Sequence, residues 1–438
     1  MLYYVLFTII TGITSLIYQL KKNIYYGQAY SVSNRIISHL FKLRYGTFMH
    51  NGHVKGKANL YSFKVGDLEM QSNPYHRSLT LIELATLVIC NICGIGLLSL
   101  PNTIASGTLF ADGWIILLGS GLIVVIIGWI ATKLSAYFPL MSFYEYTSTL
   151  VSRPVAFLFS VIAICIYLCI AAYEIRSISV IVNLYLMENT DVKIIAFCFV
   201  LVLSYGLCGS RMALIQFCIL GLYVVIVSLI ISFILNVNNI DFTHLFPILK
   251  TPPMGYIRGL KNSGFAFLGF EVVLYYSFLV SNPKKAPIYV VSALLVVVML
   301  YTITYLICIC VFSQSVVQEL VYPVVELGKE VEIGEFLERF DAIFFMTWII
   351  TIFSTTIIYI DMMVIVLTSI FKKTKKHTFV FILMPIVYMI SIFPNGQEEV
   401  SHFGNIATTA NFFYILIIPP VLLLITFVKK KKNQRRTN

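Results

Sequence analysis

From residue 80 onward the chain is a series of long apolar runs separated by short polar breaks. The runs cover 81–100, 113–137, 155–187, 194–209, 212–235, 255–281, 287–312, 340–371, 378–394 and 407–428. Each approaches or exceeds the ~20 apolar residues that a helix needs to cross a bilayer. Pro, Gly, Asn or charge bounds each one. The pattern predicts an all-α integral membrane protein with ten spans. The third and eighth runs are long enough to tilt or to project beyond the bilayer.

The first 75 residues follow a different pattern. Residues 2–20 are apolar, and Lys21 and Lys22 follow them. Residues 21–80 are polar and basic with no periodic core pattern. Two readings are open: an extra helix at 2–20 with a cytoplasmic linker, or a true start at Met70. The second is favoured, and it makes MQSNPYHRSLTLIELATL a short cytoplasmic lead. No small-residue cleavage site follows the apolar stretch, which argues against a signal peptide.

Composition agrees with lipid as the solvent. Hydrophobic residues make up 59% of the chain and charged residues 12%, whereas a soluble domain carries about 25% charged residues. A surface this apolar is tolerated in lipid, so membrane lipids are expected partners. The net charge of +11 is not a nucleic-acid signal, because the bases sit in short clusters between apolar runs. No nucleic-acid partner is expected. Alternate loops hold Arg77, Lys133, Arg153, Arg211, Lys284, Lys285, the cluster at 372–376 and the tail at 429–436. The other loops hold fewer bases and most of the acids, including Glu326, Glu330, Glu332, Glu335 and Glu338. Cytoplasmic loops carry the Lys and Arg excess. Both ends of the ten-span unit are therefore expected in the cytoplasm, as an even span count also requires.

The nine Cys all lie in apolar runs. None has a His or carboxylate at metal-ligand spacing, and no βαβ pattern surrounds the Cys90-x-x-Cys93 pair. Packing is the expected role of all nine, with no metal and no cofactor. The sequence has no Ser/His/Asp set, H-E-x-x-H or Walker loop, so no catalytic residue and no enzyme activity are expected.

Two runs are interrupted. The first carries Gly94-Ile95-Gly96 in its middle, and the sixth carries Gly264 and Gly269. Gly inside a helix costs ~1 kcal/mol against Ala. Unwound backbone at membrane depth survives only where it is buried in protein or lines a cavity. Breaks in spans 1 and 6 of ten occupy equivalent positions if spans 1–5 and 6–10 are inverted repeats. Half-helix ends would then meet near the midplane, where N-termini hold a carboxylate and C-termini an ammonium or a cation. A small zwitterion such as an amino acid fits that site. Glu271, two residues beyond Gly269, is placed near mid-membrane and should face the interior. Tyr167 and Ala171 on span 3, and Trp348, Thr351 and Thr355 on span 8, share faces for which two readings stay equally open: walls of a pocket, or lipid-facing and packing positions. Ser354, Thr355 and Thr356 offer oxygens for a cation, or bond back to their helix, and the second role is favoured. Glu83, Glu174, Arg176 and Asp361 are placed near span ends, where a structural pair or a snorkelling head is expected.

Three stretches resemble a known family: GIGLLSLP (94–101), FAFLGFEVVLYYSFLVSNPKKA (265–286) and ERFDAIFFMTWIITIF (338–353). They are similar to the B subunits of spore germinant receptors, the GerAB-like permeases of the amino acid–polyamine–organocation superfamily. The resemblance covers about 76–430. The N-terminal extension departs from it, because members of that family begin close to span 1. The resemblance implies a ten-span 5+5 inverted-repeat (LeuT/APC-type) bundle with broken helices 1 and 6, formed by residues 76–430. Residues 431–438 follow as a basic cytoplasmic tail. It implies a germinant-sensing subunit in the inner membrane of a spore, acting with A and C subunits on a small-molecule germinant, often an amino acid. The implied pocket lies between spans 1, 3, 6 and 8. By position this points to Gly94, Ile95, Gly96, Phe267, Leu268 and Gly269, while helix placement adds Tyr167, Ala171, Trp348 and Thr351. The alternative is an amino-acid/cation symporter on the same fold, since fold does not settle function.

Overall fold

The computed structural model describes residues 78–329 and 340–437. The N-terminal extension, the choice of Met70 and the acidic stretch 330–339 lie outside the described residues. Among those described, the helices are α1 (Leu81–Ile92), α2 (Ile95–Ala105), α3 (Gly113–Ala136), α4 (Phe143–Leu150), α5 (Arg153–Tyr185), α6 (Val192–Cys208) and α7 (Arg211–Leu235). There follow α8 (Pro253–Ala266), α9 (Val272–Tyr276), α10 (Ala286–Glu319), α11 (Pro323–Lys329), α12 (Phe340–Ile370), α13 (Lys376–Ser391) and α14 (Gln397–Thr437).

Among the described residues, six helices are long and apolar enough to cross a membrane: α3, α5, α7, α10, α12 and α14. The pair α1 and α2 is bent by 53° at its break and makes a seventh if counted as one span. Three apolar helical segments are shorter: Val192–Cys208, Phe265–Leu279 and Lys376–Ser391. They correspond to the fourth, sixth and ninth apolar runs.

Local chemistry sets the helix starts. Thr80 opens α1 with a capping box, accepting from the Glu83 N–H at 3.2 Å while the Glu83 carboxylate accepts from the Thr80 N–H at 2.9 Å. Two orphan donors are satisfied at once. Glu83 is therefore a cap. Ser142 and Glu145 repeat the device at α4. Packing sets the rest. α10 lies along α3, α1 and α2, and α12 lies along α5 and α7. α14 packs on α5 and α3, and α13 on α6 and α5. α12 is the central helix, with 89% of its apolar window buried.

The two ends of the bundle are tied differently. At the end rich in Lys and Arg, Leu79 forms an isolated parallel bridge with Val280. Its N–H donates to Leu279 at 2.7 Å, and its carbonyl accepts from the Ser281 N–H at 3.1 Å. The start of α1 is thereby fastened to the segment that follows α9. At the other end, Gln314 and Gln318 reach from beyond the Ser313 turn (φ 66°) to the last carbonyls of α2. Gln318 donates to Ala105 O at 2.6 Å, and Gln314 donates to Ala105 O at 3.0 Å and Thr108 O at 2.8 Å.

Asp112, just ahead of α3, is fully buried. Its carboxylate accepts from the N–H groups of Leu249, Lys250 and Thr251 at 2.6, 2.8 and 2.8 Å, and from the Tyr256 hydroxyl at 3.0 Å. Burial pushes this carboxyl up, but the Thr251 and Leu249 N–H groups outweigh it and hold it below the usual range. A depressed folded value means stability that is complete above the ordinary carboxylate pKa of about 4 and is lost as pH falls through the depressed value. Hydrogen exchange in detergent is therefore expected to show residues 249–251 protected at neutral pH and released only in strong acid. Asp112→Ala is expected to release them at every pH, because each donor left unmatched costs about 1–3 kcal/mol.

Candidate functional site

α1 ends because its last residues turn inward. Asn91 is buried at the final turn and donates through Nδ2 to the Gly269 carbonyl at 2.7 Å. The Ile92 carbonyl, freed from the helix, accepts the Tyr301 hydroxyl at 2.9 Å and the Gly94 N–H at 2.8 Å. Gly94 sits at φ −97°, ψ −142° and opens α2. A methyl group on Gly94 would lie 3.0 Å from Thr355 Cγ2 and 3.5 Å from Glu174 Oε1.

The second interruption lies between Ala266 and Val272. Gly264 remains inside α8, so Gly269 marks the break. Gly269 has φ +126°, and a methyl group there would sit 2.5 Å from the Asn91 carbonyl oxygen. Only glycine fits both the dihedral and the approach. Glu271 is fully buried beside it. Its carboxyl group accepts from the Gly269 N–H at 2.7 Å, Asn411 Nδ2 at 2.6 Å and the Tyr359 hydroxyl at 3.2 Å. Glu271 thus faces the interior, as its depth requires, and holds the broken segment of its own span.

A cavity of about 490 Å³ opens beside the first break. That is within the size range of small-molecule sites. Its floor includes Asn91, Gly94, Ile95, Gly96 and Leu268, and its walls include Tyr173, Glu174 and Tyr359. Ser401, Asn405 and Thr408 of α14 face it from the side. It extends along α2 through Ser99, Asn102, Thr103 and Ser106, toward the end of the bundle away from the basic loops.

Of the residues expected at the site, Gly94, Ile95, Gly96 and Leu268 line this cavity. The others pack behind it. Phe267 lies against the Tyr301 ring, with centroids 5.1 Å apart, under the break in span 1. Gly269 and Glu271 form the lock just described. Tyr167 donates to the Tyr275 hydroxyl at 3.1 Å and packs on Tyr359. Ala171 is fully buried. Trp348 is buried edge-on against Phe344, and Thr351 bonds back to Thr347 O at 2.9 Å. Thr355, placed on the same face, bonds to Ile352 O and flanks Gly94.

Glu174 differs from its expected place near a span end. It is 6% exposed, lines the cavity and accepts the Thr356 hydroxyl at 2.9 Å. It is not paired with Arg176, whose Nε and Nη1 have no hydrogen-bond partner among the described residues. Asp361 does form a structural pair. It accepts from Arg211 at 2.6 and 3.1 Å and from the Tyr276 hydroxyl at 2.6 Å, and is itself fully buried. This cluster stands on the basic-loop side of the two breaks. Lys372–Glu145 at 2.8 Å and Lys429 Nζ on Thr149 O at 3.0 Å also hold that end together.

With this geometry in view, likeness to known proteins becomes informative. Residues 78–400 match the family described as spore germination protein. The chain belongs to the spore germination permease family. It is 41% identical over 345 residues to spore germination protein GerLB of Bacillus cereus, covering 78% of this chain and 90% of that one. It is 28% identical over 323 residues to spore germination protein YndE of Bacillus subtilis (strain 168), covering 73% and 89%. Among solved structures it resembles Mhp1, a nucleobase-cation-symport-1 family transporter in a closed conformation with bromovinylhydantoin bound. The TM-score is 0.60 at 12% identity, over 76% of each chain. This permease family member therefore has a transporter-type fold and is an integral membrane protein.

Sequence reasoning missed Asn91, Tyr359, Asn411 and the α14 face. Asn91 was visible as a lone amide inside an apolar run beside the glycines. Ser401, Asn405 and Thr408 recur at helical spacing and form a polar stripe on one face.

Two outcomes are expected from thermal unfolding of the purified permease in detergent. Gly269→Ala should destabilise by at least about 1–3 kcal/mol from backbone strain alone. Asp361→Asn should cost about 3–5 kcal/mol by stranding Arg211, and adding Arg211→Gln should recover most of that loss. Equal stability of Asp361→Asn and wild type would remove the pair from its structural role.

Proposed function

We propose that this protein is the B subunit of a spore germinant receptor, with residues 76–430 as its sensing domain. It holds a small germinant, an amino acid by the chemistry of the site, in the cavity at the break between α1 and α2. It sits in the spore inner membrane with both ends of the bundle in the cytoplasm. Its occupancy is passed to A and C subunits, and germination follows. The family assignment supports the setting. The observation that carries the binding role is the cavity, because it is built on the start of α2. The Ile95 and Gly96 N–H groups there lie at a helix N-terminus, where the first donors lack intrahelical acceptors and favour a carboxylate.

Several features support a ten-span LeuT/APC-type bundle with broken spans 1 and 6. Six long helices, one bent pair and three shorter apolar segments are available to supply the spans. Helices five spans apart pack on one another: α3 with α10, α5 with α12, α6 with α13, and α1 with α9. A two-fold axis between inverted halves brings such partners together.

The symporter reading keeps the same fold but asks for a coupling site and a path to the second side. Ser354 and Thr355 spend their hydroxyl protons on carbonyls of their own helix, and Thr356 shares one proton between Ile352 O and Glu174 Oε2, in keeping with the helix-bonding role and with the sensing reading.

Calorimetry on purified protein against the twenty common amino acids is expected to find a binder. Gly94→Leu, which drives a side chain toward Thr355 and Glu174, is expected to weaken that binder by about tenfold or more. The same change should block germination of spores that hold normal amounts of the protein. Normal germination of Gly94→Leu spores would overturn the site. Robust labelled amino-acid uptake by vesicles containing this chain alone would favour the symporter.

A further inference from the structure

The charge of the cavity specifies its occupant further. Glu174 is the one charged side chain lining it among the described residues, and no Lys, Arg or His faces it there. Its Oε2 accepts the Thr356 hydroxyl at 2.9 Å. Its Oε1 lies beside Gly94, at the mouth of the break. Asn91 stands on the same floor with its Oδ1 buried and without a hydrogen-bond partner, while its Nδ2 is spent on Gly269. Asn91 is 3% exposed. One carboxyl group thus lines the space that also holds the start of α2.

A buried carboxylate without a counter-charge is unfavourable unless a partner repays its desolvation. A primary ammonium supplies that partner, with three N–H donors and one positive charge. The volume of about 490 Å³ is far more than a bare ion needs and suits an organic amine. Resting on the receptor reading above, we propose that Glu174 is the ammonium subsite of the cavity. It makes a free amino group the feature the site selects. Span 3 then supplies the charge recognition, and the helix breaks supply the shape.

The test uses matched probes on purified full-length protein in nanodiscs, read by thermal shift. Propylammonium chloride, n-propanol and sodium propionate share a carbon skeleton and differ in charge. The wild type is expected to be stabilised by propylammonium and not by the alcohol or the anion. For any amino acid that binds, N-acetylation should cost about tenfold or more, the scale of losing a charged hydrogen bond. Glu174→Gln, which keeps an acceptor for Thr356, should abolish the propylammonium shift. Glu174→Asp should retain part of it. Equal shifts in wild type and Glu174→Gln, or no shift in the wild type, would overturn the proposal. So would stabilisation by NaCl or KCl without any response to the ammonium compound, which assigns the site to a free ion. The wild-type comparison needs no variant to fold. A propylammonium response together with silence from all amino acids would leave the subsite standing and remove the amino-acid germinant instead.

Discussion

Everything else in this bundle leans on one close approach between two stretches of unwound backbone. Asn91 donates to the Gly269 carbonyl while the Gly269 Cα presses on the Asn91 peptide. In lipid each backbone polar group must find a partner within the protein. Two helices broken at the same depth would leave several groups stranded. Here Asn91 of the first break satisfies the Gly269 carbonyl of the second, while Tyr301 takes the Ile92 carbonyl and Glu271 the Gly269 N–H. The interruption is tolerated because it is shared.

That lock explains the division of labour among the polar residues. Glu271, Asn411 and Tyr359 are committed to the second break. Glu174 is left lining the cavity. Two buried glutamates that look alike in a hydropathy plot therefore do different things. One holds a strained segment in place, and the other lines the cavity beside Gly94.

Much of the fold was legible in the apolar runs, since span length and bounding Pro, Gly and charge are local properties. The bend at Gly94 falls where the glycines stand in the sequence, and Glu271, expected in the interior, is buried. Rotation about each helix was not. Tyr167, Ala171, Trp348 and Thr351 were chosen by i, i+4 spacing, but helices apolar all round give no face to count from. Each of these side chains is buried against neighbouring helices instead. Glu174 was misplaced because the long third run hides where the membrane midplane falls along it, and its tilt is set by packing. Gly264 and Gly269 were equal candidates in the sequence. The positive φ that separates them follows from a contact with residue 91, which no local window contains.

The Arg211–Asp361–Tyr276 cluster and the Leu79–Val280 bridge tie the basic end together, while the cavity reaches along α2 toward the other. A chamber sealed on one side equilibrates with a single compartment. Under the sensing reading, its filling would follow concentration in that compartment and be blind to any gradient across the bilayer. In thermodynamic terms a chamber used in this way is a gauge, and it does no work against the membrane.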